Sequence, residues 1–340
     1  MSEDRRLRVG LIGAGMIGRL RAEALRKTPS LRLAAVADLR RDLARAAAKR
    51  APAARLHEDV HSLASDPDID AVIVATPPDS HEELGLACLA AGKHVLCEKP
   101  LAATLQGAER LVAAAEKADR RLATGFNLRY TRAAMLARRL VDGGAIGELD
   151  HIRGFHGHPG GDEFTHDWIR DAGVTGGGTL MDNGIHLIDL SRWFLGEVVE
   201  ATGMSSNRTW RSPGAEDNGF LLLRNEAGCV ATLHSSWTEW RGYGYRLEVY
   251  GTEGFVTFGY PPMYLLHGAR RGGNKTTVKR HFFLGYQVRE RLRGWEWGLV
   301  ETLVRDLEGW GLAIREGKPA PISGRDGAEA VRIARLGAGG

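Results

Sequence analysis

Along the first 125 residues, short apolar runs alternate with amphipathic stretches. The runs at 7–13, 32–38, 70–76, 94–99 and 121–126 predict strands, while 16–28 and 40–50 predict helices. Helical patterns also separate the later strands. Continuously apolar strands alternating with helices indicate a parallel sheet covered on both faces. Beyond residue 125 the pattern changes. A helix is expected at 131–142, then the segment GELDHIRGFHGH, then a helix led by three glycines and starting near Thr179. Strand-like runs come next at 198–207, 218–225, 229–240, 245–250, 254–260 and 276–284, some alternating in polarity. Turn signals NEAG and GTEG separate neighbouring runs, as in an antiparallel sheet. Closing helices are expected at about 296–316 and 325–336. The expected architecture is α/β: residues 1–124 form one domain, and 125–340 an α+β domain with a large, mostly antiparallel open sheet.

A chain of 340 residues, 43% hydrophobic and 26% charged, suits two soluble globular domains. The net charge of +4 changes little, because the arginines are scattered among acids. The densest basic patch, 269–280, is glycine-rich and reads as a solvated hairpin loop, so nucleic acid is not an expected partner. No apolar run reaches the roughly 20 residues that cross a bilayer. The N-terminus enters a strand pattern without a signal-peptide core. Cys88, Cys97 and Cys229 have neither disulfide nor metal spacing, and the expected location is the reducing cytoplasm.

The first turn carries Gly13-x-Gly15-x-x-Gly18 directly after a strand and at the start of a helix. Gly13 permits the tight turn, Gly15 lets a pyrophosphate approach, and Gly18 lets helix and strand pack. Asp38 ends the second strand, where a carboxylate accepts hydrogen bonds from an adenosine ribose; the alternative is a cap for the helix after it. This unit predicts a Rossmann domain that binds a dinucleotide. Asp38 favours NAD, whereas Arg40 and Arg41 keep NADP possible. Two further strand ends, ATPPDSH and CEKP, face the crevice where such sheets bind ligands. The candidate cofactor contacts are Gly13, Gly15, Met16, Ile17, Gly18, Asp38, Thr76, Pro77, His81, Glu98 and Lys99. Lys99 precedes Pro100, which directs its backbone away from helical geometry; the plainer reading is a solvated loop charge.

Taken together, GLIGAGMIG, AVIVATPPDSH, HVLCEKPLA, GFNLRY, GGGTLMDNGIHLIDLSRWFLG, GTEG and AIREGKPAPISGRDG resemble the Gfo/Idh/MocA family of oxidoreductases along the whole chain. The resemblance implies NAD(P)-dependent chemistry at a CH–OH group of a sugar, cyclitol or related ring alcohol. It also implies a homodimer or homotetramer formed through the C-terminal sheet. The family's catalytic lysine falls on Lys99, its aspartate on Asp182 and its histidine on His186. Helical spacing puts Asp182, His186, Asp189 and Trp193 on one face, though by spacing alone Asp182 and His186 also fit a structural hydrogen-bonded pair. The chain departs from the family pattern after Trp168, where Ile169 stands before Arg170.

Candidate substrate contacts are Asn127, Arg129, His156, Trp168 and Asn183. An interdomain salt bridge is the competing role for Arg129. His156, His158 and His166 have no fixed third ligand, so no metal is expected, and they are placed at the substrate pocket or its rim. Trp193, Trp295, Trp297 and Trp310 are expected in the core or an interface. Two other readings stay open: a glycosidase of the same fold using NAD transiently, and a dinucleotide-binding regulator without chemistry.

Overall fold

The computed structural model describes residues 6–49, 51, 53–161, 164, 166–270 and 276–338. The elements begin with β1 (Leu7–Ile12), α1 (Met16–Leu25), β2 (Leu31–Ala37), α2 (Arg41–Ala48), β3 (Arg55–Leu56) and α3 (Val60–Ala64). Next are β4 (Ala71–Val74), α4 (His81–Ala90), β5 (His94–Cys97), α5 (Leu105–Lys117), β6 (Leu122–Thr124), α6 (Arg132–Asp142), β7 (Leu149–Gly157) and α7 (Ala172–Thr175). Then come α8 (Ile185–Leu195), β8 (Val198–Ser206), β9 (Asn218–Asn225), β10 (Val230–Ser236), β11 (Gly244–Gly251) and β12 (Gly254–Tyr260). The last are β13 (Tyr264–Arg270), β14 (Thr276–His281), α9 (Leu284–Arg293), α10 (Trp295–Glu316) and α11 (Gly324–Gly337).

The chain divides into two compact units, Met1–Asn127 with Arg293–Val331 and Leu128–Leu292 with Arg332–Gly340. In the first, six parallel strands run in the order β3-β2-β1-β4-β5-β6. One apolar cluster on this sheet joins Val9, Leu11, Leu20 and Leu31 to Leu303, Leu307 and Trp310 of α10. A second cluster sets Val72, Val74 and Val95 against Cys88, Leu89 and Leu111 from α4 and α5. Both faces are therefore covered, as the unbroken apolar strands require. The expected second stretch, 125–340, is continuous, but residues 293–331 group with the first unit because α10 buries its apolar stripe there.

The second unit holds an eight-stranded sheet in the order β14-β13-β12-β11-β7-β10-β9-β8. Among the described residues only the β7–β10 pair is parallel, and the other pairs are antiparallel. Helix α8 packs on β7 and β10, and Leu187 of α8 would meet a Cβ at Gly154 within 3.3 Å, so the glycine admits the helix. The segment GELDHIRGFHGH thus supplies the middle strand of the sheet. Strand β13 and helix α9 did not emerge from the pattern, and the run 276–284 ends as a strand at His281. The expected basic loop is flanked by β13 and β14, and its residues 271–275 lie outside the described ones. Trp310 is core, whereas Trp295 is 52% exposed and is not. Among the described residues no helix is long and apolar enough to cross a membrane.

One buried charge organises the first unit. Arg21 of α1 is fully buried; its Nε donates to Glu98 Oε1 (2.7 Å) and its Nη1 to Asp306 Oδ2 of α10 (2.6 Å). Burial opposes its charge, yet the two carboxylates hold its pKa above the ordinary guanidinium value. Replacing Arg21 by Met leaves two buried carboxylates unneutralised. Removing one partner of a buried pair costs about 3–5 kcal/mol, and urea unfolding of Arg21→Met at pH 7 is expected to show a loss of that order. The deficit is expected to shrink at acid pH, where the carboxylates take up protons; a variant as stable as the parent at pH 7 contradicts this account.

Candidate active site

The first turn is built as its spacing requires. Gly13 has φ +87°, and a Cβ there would sit 2.5 Å from Ala75 O. A Cβ on Gly18 would lie 2.0 Å from Gly13 O, so neither position accepts a side chain. At Gly15 a Cβ would meet nothing within 4 Å. Open space therefore faces the backbone where a pyrophosphate is expected. The N-terminus of α1, opened by Met16 and Ile17, has no acid in its first turn and no side-chain cap, leaving its amides for an anion. Asp38 Oδ2 accepts the Ala14 N–H (2.6 Å) and Oδ1 accepts the Arg40 N–H (2.7 Å). Asp38 thus braces the glycine turn as well as the start of the next loop. This arrangement fits a dinucleotide.

Thr76, Pro77 and Lys99 stand on the loops after β4 and β5, and Lys99 is half-buried. His81 differs from its expected role. It is fully buried, with Nδ1 at 2.8 Å from Pro100 O and Nε2 at 2.8 Å from Thr76 O. Burial lowers its pKa, against the pull of both carbonyls. The ring ties the two strand-end loops together and has no surface left for a cofactor. Glu98 likewise spends its carboxylate on Arg21. In the same unit, Asn127 donates through Nδ2 to Thr302 Oγ1 (3.0 Å).

In the second unit the glycine run packs against Glu216. A Cβ at Gly178 would lie 2.2 Å from both N and O of Glu216. The buried Glu216 carboxylate accepts N–H bonds from Gly178 (2.9 Å) and Leu180 (2.7 Å). Burial raises its pKa, while these donors favour the charged form. The chain then forms not a simple helix from Thr179 but one wider π turn, Leu180–Gly184, that passes into α8. Such turns insert an extra residue and re-aim side chains, and they recur at functional sites.

The π turn and α8 set out the polar face. Trp237 Nε1 donates to Asp182 Oδ2 (3.1 Å). His158 Nδ1 accepts the Gly160 N–H (3.0 Å), which puts the neutral ring's proton on Nε2, and that nitrogen faces Asp182 Oδ2 at 3.6 Å. His156 Nδ1 donates to Asn183 O (3.1 Å), so its Nε2 accepts the Tyr243 hydroxyl proton (3.2 Å). The His156 and His186 ring centroids are 6.0 Å apart, and both residues are buried. The Asn183 side-chain nitrogen is buried with no hydrogen-bond partner among the described residues. One turn further on, Asp189 holds Arg129 through two bonds (2.9 and 2.5 Å), with the guanidinium over Trp193. Arg129 thus forms a buried ion pair with Asp189 inside the second unit. Trp168 stacks on His166.

The second unit therefore brings together Asp182, Asn183, His186, His156 and His158, and adds Trp237 and Tyr243, which the sequence did not single out. Only the pairing of β7 with β10 and β11 puts these two near the histidines. The cluster offers a carboxylate held by the Trp237 indole N–H, a buried imidazole and, among the described residues, an unpartnered amide donor. That set suits proton transfer at a hydroxyl or carbonyl. Among the described residues no group of three or more His, Cys, Asp or Glu is placed to hold a metal.

Fold and site together define an oxidoreductase built on a dinucleotide-binding Rossmann unit. Residues 7–126 match the oxidoreductase family with an NAD-binding Rossmann fold, and residues 134–257 match the GFO/IDH/MocA C-terminal domain. The chain belongs to the Gfo/Idh/MocA family. It is 30% identical over 331 residues to a myo-inositol 2-dehydrogenase of Thermotoga maritima, covering 96% of this chain and 94% of that one. It is 34% identical over 310 residues to inositol 2-dehydrogenase 2 of Saccharopolyspora erythraea, covering 89% and 88%. Among solved structures, levoglucosan dehydrogenase in complex with NADH and L-sorbose superposes with a TM-score of 0.86 at 26% identity, covering 98% and 95%.

Asp38 yields a direct test. In the parent protein NADH is expected to bind more tightly than NADPH. Asp38→Ala is expected to narrow the gap about 10-fold, the loss of roughly 1–2 kcal/mol of repulsion toward a 2′-phosphate. Both affinities are also expected to fall, because the Ala14 N–H loses its acceptor. Fluorescence titration with each nucleotide checks this, and tighter NADPH binding by the parent overturns the assignment.

Proposed function

We propose that this enzyme moves a hydride between NAD and a secondary hydroxyl or keto group of a sugar, cyclitol or related ring alcohol. The observation that carries the reading is the cluster of half-buried Asp182 with buried Asn183, His186 and His156 in a chain of this family. The names of its relatives, inositol 2-dehydrogenase, levoglucosan dehydrogenase and 1,5-anhydro-D-fructose reductase, support a ring polyol or its ketone as substrate.

NAD, when bound, supplies the hydride acceptor for oxidation, and NADH the donor for reduction. Gly13, Gly15, Gly18 and the α1 amides would hold its pyrophosphate, and Asp38 its adenosine ribose. His186 takes the hydroxyl proton during oxidation and returns it during reduction. Asp182, held by Trp237 and faced by His158, orients the reacting group and supports the positive ring that proton uptake creates. Lys99 stabilises negative charge on the reacting oxygen, and the Asn183 amide donates to a neighbouring hydroxyl.

We also propose a homodimer or homotetramer built on the open face of the second unit's sheet. Register aligns Met204, Phe220, His234 and Phe155 in a row across four strands. Met204 is 80% exposed, and the row borders a groove of about 540 Å³. An apolar row on a sheet face is a common subunit contact. The same reading places the protein in a reducing cytoplasm, supported by the three free cysteines.

His186→Ala is expected to slow oxidation by roughly 100- to 10,000-fold and to abolish the rising limb of kcat/KM with pH, since no base then waits to lose its proton. Lys99→Met is expected to keep NADH binding and lose about 100- to 1000-fold in kcat, as for one charge-stabilising donor. A pH limb that survives in His186→Ala moves proton transfer elsewhere. Met204→Glu with Phe220→Glu is expected to yield folded monomers by light scattering; an unchanged mass puts the subunit contact on another surface.

A further inference from the structure

The loop between β10 and β11, residues 237–243, is anchored at both ends on the candidate site. At its start Trp237 donates through Nε1 to Asp182, while its own N–H bonds Asp217 O (2.7 Å). At its end the Tyr243 hydroxyl donates to His156. Between them the Glu239 N–H bonds His158 O (3.1 Å), and the Gly242 N–H closes a turn on Glu239 O (3.0 Å). Gly242 takes φ +105°, a conformation that only glycine adopts readily. The loop is therefore fixed, and its exposure is not a matter of slack chain.

This fixed loop carries Trp240 at its tip, 68% exposed, with Tyr243 beside it at 39%. Trp240 approaches Trp210 with ring centroids 6.4 Å apart. Trp210 is itself locked: its Nε1 donates to Trp237 O (2.9 Å), and a Cβ at Gly160 would lie 2.5 Å from that nitrogen. Phe164 packs edge-on against both Trp210 (5.5 Å) and Trp237 (5.1 Å). Aromatic side chains thus run continuously from the residue that holds Asp182 out to an exposed indole. Leaving an indole in water forgoes the gain from burying it, so a rigid exposed one next to a polar site marks a contact for something else. Indole and phenol rings offer an apolar face with a polar edge, which suits the face of a sugar ring.

We propose that Trp240, with Trp210 and Tyr243, forms a stacking subsite for a second ring, and that the substrate is a glycoside or similar two-ring sugar derivative. The inference rests on the ring-alcohol reading above and narrows it. Asp182, His186 and Asn183 handle the ring that reacts. The aromatic rim takes the ring attached to it, which undergoes no chemistry.

The test uses the full-length protein loaded with NADH and three ligand pairs: D-glucose with cellobiose, D-galactose with lactose, and myo-inositol with galactinol. Dissociation constants are measured by calorimetry, and kcat/KM by nicotinamide absorbance with NAD. For at least one pair the two-ring member is expected to bind about 5- to 10-fold more tightly, the scale of one aromatic stacking contact. That ratio is expected to fall to near one in Trp240→Ala and to persist in Trp240→Phe, with melting temperatures showing all three proteins folded. Equal binding within every pair, or a ratio that Trp240→Ala leaves intact, overturns the subsite while the ring-alcohol reading stands. A fall in assembly mass on Trp240→Ala also overturns it, because the indole then belongs to a subunit contact. If no member of any pair binds or turns over while NADH still binds, the ring-alcohol reading itself fails and this inference with it.

Discussion

A fully buried guanidinium has to be neutralised where it lies, and in the first unit that single requirement ties three distant pieces of chain together. Arg21 belongs to the helix after the glycine turn, Glu98 to the end of β5, and Asp306 to a helix almost 300 residues on. With these bonds made, α10 lies on the sheet of a unit from which it is separated by the entire intervening chain. The residue after Glu98 is Lys99, so the ion pairs also settle the backbone from which a candidate catalytic amine departs. A buried ion pair adds little net stability compared with apolar packing, but it tolerates only one arrangement.

The second unit relies on a different device. Gly178 lets the chain run against the backbone of Glu216, whose carboxylate then takes up the first amides of the helical segment. The cost of burying that carboxylate is offset by its two N–H donors. The adjoining π turn redirects Asp182 toward Trp237 and His158, while α8 carries His186 and, a turn further on, the Asp189 anchor for Arg129. A hydrogen bond from Trp237 holds Asp182, and His156 is bonded at both ring nitrogens, so their positions are set before any ligand arrives. Such preorganisation stabilises charge without reorganisation during reaction.

Local chemistry made much of this legible in the sequence. The parallel sheet was readable from unbroken apolar strands, since a strand covered on both faces cannot alternate. Gly13, Gly15 and Gly18 were readable because each position rejects or leaves room for a Cβ for a reason the motif encodes. Asp38, Lys99, Asp182 and His186 stood out through motif context and family resemblance. Other parts were hidden. Strand β13 fully buries only Leu265 and Gly268, and helix α9 only Tyr286, so neither presents the apolar face by which the other elements were read.

What the sequence determined by itself, then, are the features set within a few residues: the period of burial along each element, the turns only glycine can make, and the acid or base at a strand end. Tertiary structure decided who meets whom. His81 bears an imidazole like any other, yet burial between two carbonyls makes it a tie and not a ligand. Arg129 became an internal ion pair because Asp189 lies within reach, and Trp237 and Tyr243 joined the site because β7 lies between β10 and β11. Each depends on contacts between residues far apart in the chain. A pattern read over a few neighbouring positions carries no information about them, because the free energy that selects such pairs arises only once both partners have left water.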